Sequence, residues 1–476
     1  MGKTLLTYVI TIEPKVTPIG SWEIIINALT GEVLSARDKA YYYNGEDEKQ
    51  GNKRHRKEFI KRKKSTVNGS GFVYETDPLT ATLNVYGGQY VDANDATNPA
   101  LDAARSSVTL LDITQTGGEF FLTGPYAEIQ DFEAPNKGVF SQGTSVFNFN
   151  RNQDAFEAVN VYYHIDKSMR YYNETLGLNV KPYQYNSGVR VDPSGLSGAD
   201  NSHYLPGSGR LAFGEGCVDD AEDADVIIHE LGHGIHDWIT NGATSAYLGE
   251  GNGDYLAASY KRSFAQWSPS DASYDFMFGW DGNNPCWPGR TTADTRSYPN
   301  GLIGLQGGAA HFDGEMWSST LMEIWDIIGR EKTDKAFIEG IAMTNSNTNQ
   351  EQAAIAVRQA AIDMGVAGGY TCEDIQVFTD RFTARGYNLP TYTCTLSVAA
   401  FETKPIVMFP NPTKGALTFK NLTETYNISV FNMLGQKIKN HTLSTSQNSL
   451  DVSHFASGTY FIKFYGADTV LKFVKQ

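Results

Sequence analysis

The sequence predicts an α+β protein of several domains, on three observations. Its length of 476 residues exceeds what one hydrophobic core fills. Short alternating apolar segments, which are typical of strands, dominate before residue 217 and after residue 405, and helical periods dominate between them. The many aromatic residues, 26 Tyr and 25 Phe, also suit a protein rich in β-structure. We therefore expect a β-rich part, a helical part and a C-terminal β-sandwich.

The N-terminal residues 1–45 predict strand, turn and strand, with Thr30–Gly31 as the turn. The first residues lack the charged start, apolar centre and small-residue cleavage site of a signal peptide. We therefore expect either that a signal peptide was removed or that the chain begins downstream of one.

Residues 46–69 predict a basic linker. Residues 53–64 carry eight Lys and Arg against one Glu, whereas the whole chain has a formal charge of −15. The run could bind nucleic acid or another anionic surface, but acidic domains on both sides favour a solvated, protease-sensitive linker. The overall acidity argues against nucleic acid as a partner and suits a soluble, extracellular protein. No apolar run reaches the ~18 residues of a membrane span.

Three further domains are expected beyond this linker. Residues 70–216 form a β-rich lobe, residues 217–398 a helical lobe, and residues 405–476 a separate β-sandwich. The acidic residues 219–225 would cap the helix predicted at 222–241 and complement its dipole. The predicted helices lie at 154–177, 222–241, from 249 onward, 311–330 and 350–364.

The chain has four cysteines and no CxxC pair, which argues against a four-cysteine zinc site. An oxidising compartment would allow two disulfides. Cys372–Cys394 together with Cys217–Cys286 is one of three possible pairings, and the sequence leaves the choice open.

The HELGH stretch at 229–233 predicts a metal site. On a helix His229 and His233 share one face, and Glu250 offers a third ligand. Two imidazoles and one carboxylate leave the fourth zinc position open to water, as a catalytic site needs. A solvated surface pair is the alternative, but the apolar run at 225–228 indicates a buried helix, where imidazoles need partners.

The neighbouring side chains suggest a hydrolytic mechanism. Zinc held in this way acidifies water, and the Glu230 carboxylate would accept its proton and pass it to the leaving group. His311 is the candidate donor to the oxyanion, with Tyr247 as a second candidate and surface roles as the alternative for both. Asp254 would accept the second N–H of a ligand histidine, unless it is a solvated helix acid.

A second cation is weighed at the acids that precede the metal helix. Calcium prefers several oxygen ligands, although helix capping and solvation explain these acids nearly as well. The candidate calcium ligands are Asp219, Asp220, Glu222, Asp223 and Asp225.

Residues 70–395 resemble the thermolysin-like (gluzincin) zinc metalloproteases, in their fungalysin-like branch. The resemblance rests on DVIIHELGHGIHD (225–237), GEGNGD (249–254) and AHFDGEMW (310–317), with support from residues 158–177 and 201–216. It implies a two-lobed protease with a β-rich N-terminal lobe and a helical C-terminal lobe. It also implies zinc ligation by His229, His233 and Glu250 and catalysis by Glu230. Residues 1–45 resemble the last part of the inhibitory propeptide of such zymogens.

The resemblance also suggests how substrate is bound. Asn201 and Ser202 would pair with the substrate backbone by β-augmentation. A substrate-binding arginine is expected, for which we choose Arg296 over Arg290. The chain departs from the family at 252–253, where Asn–Gly replaces Trp–Ser, so helix packing behind Glu250 is expected to differ.

Residues 405–476 are similar to the sorting domain of proteins exported by the type IX secretion system of Bacteroidetes. The similarity rests on FPNP (409–412), NMLGQ (432–436), SGTY (457–460) and the Lys-containing end at 472–475. It implies passage across the outer membrane through that secretion machinery. A generic carbohydrate- or surface-binding sandwich is the alternative.

The sequence thus predicts a secreted zinc metalloendopeptidase that acts on proteins or peptides. The first alternative is a non-catalytic surface-binding protein or adhesin on a protease-like fold, against which the intact His, Glu, His and Glu set argues. A second is an aminopeptidase with the same ligands, but no motif that would bind a free α-amine is visible.

Overall fold

The chain forms two compact units, Met1–Thr391 and Tyr392–Gln476. No helix in the described part of the chain is long and apolar enough to cross a membrane. The computed structural model describes residues 6–12, 22–28, 30–39, 41–42, 65–271, 273–305, 308–394, 406–433, 435–465 and 469–476.

The first unit opens with a three-stranded antiparallel sheet in the order β1-β2-β3. The Gly31 amide, at a φ of 73°, donates to the Asn27 carbonyl at 2.9 Å and turns the chain from β2 into β3, where the sequence predicts a turn. The strands are β1 (Thr7–Ile12), β2 (Trp22–Asn27) and β3 (Val33–Asp38), and the short strand β4 (Tyr41–Tyr42) follows them.

The predicted linker ends earlier than expected. Residues 46–64, including the basic run, lie outside the described residues, and residues 65–69 already belong to a strand, β5 (Ser65–Val73). β5 pairs with β6 from Ser65 opposite Gln115 to Val73 opposite Ser106. The partner strand thus sets the start of β5, which the local composition does not reveal.

Two five-stranded sheets form the β-rich part of this unit. One has the order β10-β5-β6-β7-β9, and the other has the order β4-β12-β13-β11-β8. A two-stranded hairpin, β14 with β15, follows them in the chain. These strands are β6 (Ser106–Thr116), β7 (Glu119–Phe121), β8 (Ala127–Ile129), β9 (Ser141–Gln142), β10 (Val146–Phe147), β11 (Val189–Asp192), β12 (Ser202–Leu205), β13 (Arg210–Phe213), β14 (Phe276–Met277) and β15 (Arg290–Thr291).

The helices of this unit include those predicted and several that were not. The helix predicted at 350–364 has those bounds, and the one predicted at 222–241 is shorter by two residues at each end. The helix predicted at 154–177 continues beyond residue 170 as a π-helical turn, Tyr171–Thr175. The helices are α1 (Pro78–Thr82), α2 (Pro99–Ala103), α3 (Ala155–Arg170), α4 (Ala224–Ile239), α5 (Gly249–Arg262), α6 (Ala309–Ile328), α7 (Arg330–Ala342), α8 (Gln350–Met364) and α9 (Cys372–Ala384).

Helix α4 runs through the core, and almost all of its side chains are buried. It packs against α5 on one side, and α5 in turn packs against α6. A disulfide bond joins Cys217, just before α4, to Cys286 in the β14–β15 hairpin. Cys372 and Cys394 are also disulfide-bonded, so no cysteine is free.

The second unit is a β-sandwich of two antiparallel sheets, in the orders β16-β17-β20 and β19-β18-β21-β22. Both sheets contribute to one core, with Leu417 and Phe419 from the first and Ile428, Ile462 and Phe473 from the second. The strands are β16 (Val407–Phe409), β17 (Ala416–Lys420), β18 (Tyr426–Asn432), β19 (Lys437–Leu443), β20 (Ser449–Asp451), β21 (Gly458–Tyr465) and β22 (Val470–Lys475).

Candidate metal centre

Helix α4 holds His229 and His233 one turn apart on a buried face. The helix begins after Asp223, whose carboxylate accepts a hydrogen bond from the Asp225 amide at 2.8 Å. This N-cap satisfies one of the amides that a helix start leaves open. The rigid helix therefore points both imidazoles toward the start of α5, where Glu250 lies.

The three predicted ligands converge. His229 Nε2 lies 3.1 Å from His233 Nε2 and 3.4 Å from Glu250 Oε2, and His233 Nε2 lies 3.9 Å from Glu250 Oε1. Donor atoms around a tetrahedral zinc with bonds of about 2.0–2.1 Å stand about 3.3 Å apart. These residues therefore fit one zinc ion, and all three side chains are almost completely buried.

Asp254 lies on the far side of the first histidine. Its Oδ1 is 2.9 Å from His229 Nδ1. A carboxylate in this place favours the tautomer that carries the proton on Nδ1, which leaves the Nε2 lone pair for a metal. Of the two histidines offered by the sequence as its partner, the structure brings Asp254 to His229.

Glu230 is fully buried next to the first histidine, and neither of its carboxylate oxygens has a hydrogen-bond partner among the described residues. Burial raises the pKa of Glu230, and with the opposing effect of His229 and the added effect of the Glu250 carboxylate the pKa is about 8. A carboxyl group whose pKa lies near neutrality can both accept and release a proton there.

His311 reaches the same cluster from the first turn of α6. Its Nε2 lies 3.1 Å from Glu250 Oε2, and its side chain is 21% exposed. Tyr247 is different. It is 48% exposed, and within the described part of the chain no hydrogen bond joins its hydroxyl to the cluster.

The structure brings Arg290, rather than the chosen Arg296, to the cluster. The buried Arg290 guanidinium lies 3.4 Å from Asp254 Oδ1 and 3.6 Å from Glu250 Oε2, over the Phe278 ring. Arg296 instead pairs with Asp294. Arg290 reaches the cluster because the β14–β15 hairpin places it there, and no local motif in the sequence signals this contact.

Asn201 and Ser202 lie at the start of β12 and are buried. The Ser202 hydroxyl donates to Asp220 Oδ2 at 2.5 Å, so its side chain is engaged within the fold. One edge of β12 pairs with β13, and the other pairs with β4, with His203 opposite Tyr42. A strand of the N-terminal segment thus occupies the edge at which a substrate backbone is predicted to add.

The acids considered for calcium are mostly engaged by protein groups. Glu222 accepts from Arg151 Nε at 2.9 Å, and Asp225 accepts from Lys261 Nζ at 3.2 Å. Among the described residues, Asp220 is the one of the five that belongs to a group of three acids whose ligand oxygens all lie within 4.8 Å of one another, the other two being Asp200 and Asp281. Calcium binding stays a prediction.

Comparisons with known proteins give two family matches and one similar curated protein. Residues 100–237 match the family model of the thermolysin metallopeptidase catalytic domain, and residues 407–476 match the secretion system C-terminal sorting domain. The chain is also 26% identical to an extracellular metalloproteinase, MEP, of Neosartorya fischeri, over 44% of this chain and 41% of the relative. The chain therefore spans about two fifths of the length of this curated relative. The sorting domain and the extracellular relative together indicate a secreted protein.

Proposed function

Because the chain carries a thermolysin-type metallopeptidase domain and a C-terminal secretion sorting domain, we propose that it is a secreted zinc metalloendopeptidase. The observation that carries this proposal is the meeting of His229, His233 and Glu250 at one point beside the buried Glu230. Two nitrogen donors and one carboxylate form the ligand set of a catalytic rather than a structural zinc site.

The reaction assigns a role to each of these side chains. A zinc ion held by the three ligands would polarise water and a peptide carbonyl. Glu230 accepts the proton of the attacking water and returns it to the amine of the cleaved bond.

His311 and Arg290 act on the substrate oxygens. His311 donates a hydrogen bond to the developing oxyanion, because its Nε2 reaches the cluster from a ring that is partly exposed. Arg290 places a fixed positive charge beside Glu250 and Asp254, where it orients both carboxylates and binds a substrate carbonyl. Its guanidinium has several donors, so it can serve both purposes at once.

The substrate lies along β12 as an added strand, paired at residues 201–204 once β4 has left that edge. We accordingly interpret residues 1–45 as a partial propeptide whose strand β4 keeps the enzyme latent. The β-rich residues 70–216 and the helical residues 217–398 form the two lobes of the protease, and residues 405–476 direct export through the secretion machinery.

Casein hydrolysis tests the proposal. The purified chain, before and after removal of residues 1–64, is assayed with o-phenanthroline and with its non-chelating isomer m-phenanthroline. We expect the chain to be active once residues 1–64 are removed. We expect o-phenanthroline to inhibit that activity, m-phenanthroline to leave it unchanged, and added zinc to restore it. Activity that survives zinc removal would contradict the mechanism. If the zinc-free chain binds casein but neither form hydrolyses it, the result would instead favour a surface-binding protein.

The cleavage products separate endopeptidase from aminopeptidase activity. Mass spectrometry of peptides released from casein is expected to show internal cuts early in the reaction. Successive loss of single N-terminal residues would favour an aminopeptidase that uses the same ligands.

A further inference from the structure

We propose that Gly232, Gly251, Gly253 and Gly314 are positioning residues, which let α4, α5 and α6 approach closely enough for Glu250 to complete the zinc site. This inference rests on the proposed zinc function. It concerns the part of the sequence where Asn–Gly replaces Trp–Ser, and it explains why this chain uses glycine there.

The contact between α4 and α5 has no room for a side chain at residue 253. A Cβ built on Gly253 would lie 2.7 Å from His229 Nδ1, 2.8 Å from its Cε1 and 2.9 Å from its carbonyl oxygen. The opposing position is also glycine, and a Cβ on Gly232 would lie 2.7 Å from Gly253 Cα. Real Cβ atoms essentially never come within 3.0 Å of such neighbours, so the helices would have to separate.

The His229 atoms that a Cβ on Gly253 would approach are held in place. The His229 ring is fully buried and held by Asp254 at 2.9 Å, and its carbonyl belongs to the hydrogen-bonded backbone of α4. Both residue 250 and residue 254 lie within one turn of Gly253. A displacement of α5 would therefore move the third ligand and the carboxylate that orients the first ligand together.

The contact between α5 and α6 is built in the same way. A Cβ on Gly251 would lie 2.8 Å from the Gly314 carbonyl oxygen and 2.8 Å from Trp317 Cδ1, and a Cβ on Gly314 would lie 3.1 Å from Glu250 Cβ. The Trp317 indole is fixed, because its Nε1 donates to Asn252 Oδ1 at 3.0 Å. Helix α5 thus packs closely against the backbone of α4 on one side and the backbone of α6 on the other.

Glycine inside a helix carries an entropic penalty relative to alanine, so an exposed helical Gly→Ala change usually stabilises a protein. These four positions lie inside helices and retain glycine. The close approach of the three helices accounts for that choice.

The test compares Gly253→Ala with Gly340→Ala in the full chain. A Cβ on Gly340 would lie 2.4 Å from Val357 Cα, so it creates a similar clash between α7 and α8, away from the ligands. Zinc affinity is measured by competition with a chromogenic chelator. The visible spectrum of the cobalt-loaded protein reports the ligand geometry, and thermal unfolding of the metal-free protein reports stability.

We expect Gly253→Ala to weaken zinc binding at least about tenfold and to alter the cobalt spectrum, as changes around metal ligands do. Gly340→Ala is expected to lower Tm but to keep both metal properties. If Gly253→Ala does not fold, Gly232→Ala takes its place, because its one contact below 3.0 Å is with Gly253 Cα.

Wild-type zinc affinity and an unchanged cobalt spectrum in the folded variant would overturn the inference alone. An equal loss of zinc affinity in Gly340→Ala would also overturn it, since the effect would then follow from stability. A wild-type protein that binds no zinc would defeat the proposed function itself, and the inference with it.

Discussion

The Nδ1 atom of His229 lies 2.9 Å from the Oδ1 atom of Asp254, across the contact between α4 and α5. The carboxylate orients the ring and increases the basicity of the ligand nitrogen Nε2. We expect Asp254→Ala to lower zinc affinity about 10- to 100-fold, as measured by chelator competition. Asp363→Asn, at the end of α8, serves as a control that should bind zinc normally. Equal affinities in the two variants would remove this role from Asp254.

Glu230→Gln is expected to keep zinc and lose turnover. The substitution preserves the size of the side chain but removes the proton acceptor, whose contribution in general acid–base catalysis is about 10²- to 10⁴-fold. Metal content by mass spectrometry should match that of the wild type, while kcat on a fluorogenic peptide falls. A variant that remains fully active would assign the proton transfer to another group.

His311→Ala is expected to lower kcat about 10²- to 10³-fold, the range for loss of one oxyanion donor. KM should change less, because this hydrogen bond strengthens as charge develops on the oxygen. Tyr247→Phe is the matched comparison, since it removes only a hydroxyl from the exposed tyrosine that the sequence offers as the other donor. A larger loss of kcat in Tyr247→Phe than in His311→Ala would assign the hydrogen bond to the oxyanion to Tyr247 instead of His311.

Arg290→Met and Arg296→Met separate the two arginines considered for substrate binding. Arg290 lies 3.6 Å from Glu250 Oε2, whereas Arg296 pairs with Asp294. A hydrogen bond to a charged group contributes about 1.5–3 kcal/mol, so we expect kcat/KM to fall about 10- to 100-fold in Arg290→Met. Arg296→Met should stay near the wild-type value. A larger fall of kcat/KM in Arg296→Met than in Arg290→Met would assign substrate binding to Arg296.

Acid should destabilise the fold through buried histidines outside the metal centre. His164 Nε2 lies 2.8 Å from the Tyr74 carbonyl oxygen and Nδ1 lies 2.7 Å from the Tyr260 hydroxyl, and burial lowers the pKa of His164 to about 3. Between its normal value of about 6.5 and that value, the unfolded chain binds a proton that the folded chain does not. The free energy of unfolding therefore falls by about 1.4 kcal/mol per pH unit in this window as pH falls.

Denaturant unfolding between pH 7 and pH 4 measures this slope. His164→Gln lacks the titrating ring, so its slope should be shallower by about one proton, even if the variant is less stable throughout. Identical slopes in the variant and the wild type would contradict the linkage.

The sequence predicts those features that depend on local spacing. The four-residue interval between His229 and His233 predicts one helix face, and their Nε2 atoms lie 3.1 Å apart. Helix α8 has its predicted bounds because the apolar period that predicts it is a local signal, and the structure adds an Asn349 capping box at its start. A similar capping box at Thr371 and Asp374 marks the start of α9, a helix that is not among those predicted.

The features that the sequence missed depend on contacts between distant segments. Arg290 reaches Glu250 through the β14–β15 hairpin, and the start of β5 follows from its pairing with β6. The spacing of α4, α5 and α6 depends on pairs such as Gly232 and Gly253, which are twenty-one positions apart. Each glycine alone is uninformative, because only the packed helices show what the missing side chain permits.

The pairing of β4 with β12 has a consequence for the binding equilibrium of the intact chain. In the proposed mode of substrate binding, β4 and a peptide compete for the same edge of β12. Because β4 belongs to the same molecule, its effective concentration depends on the linking segment and not on the protein concentration. Dilution therefore does not release β4, and a peptide added in solution must compete with a strand that stays attached to the same molecule. Cutting the linking segment makes the strand an ordinary solute, and its occupancy of the β12 edge then declines with dilution.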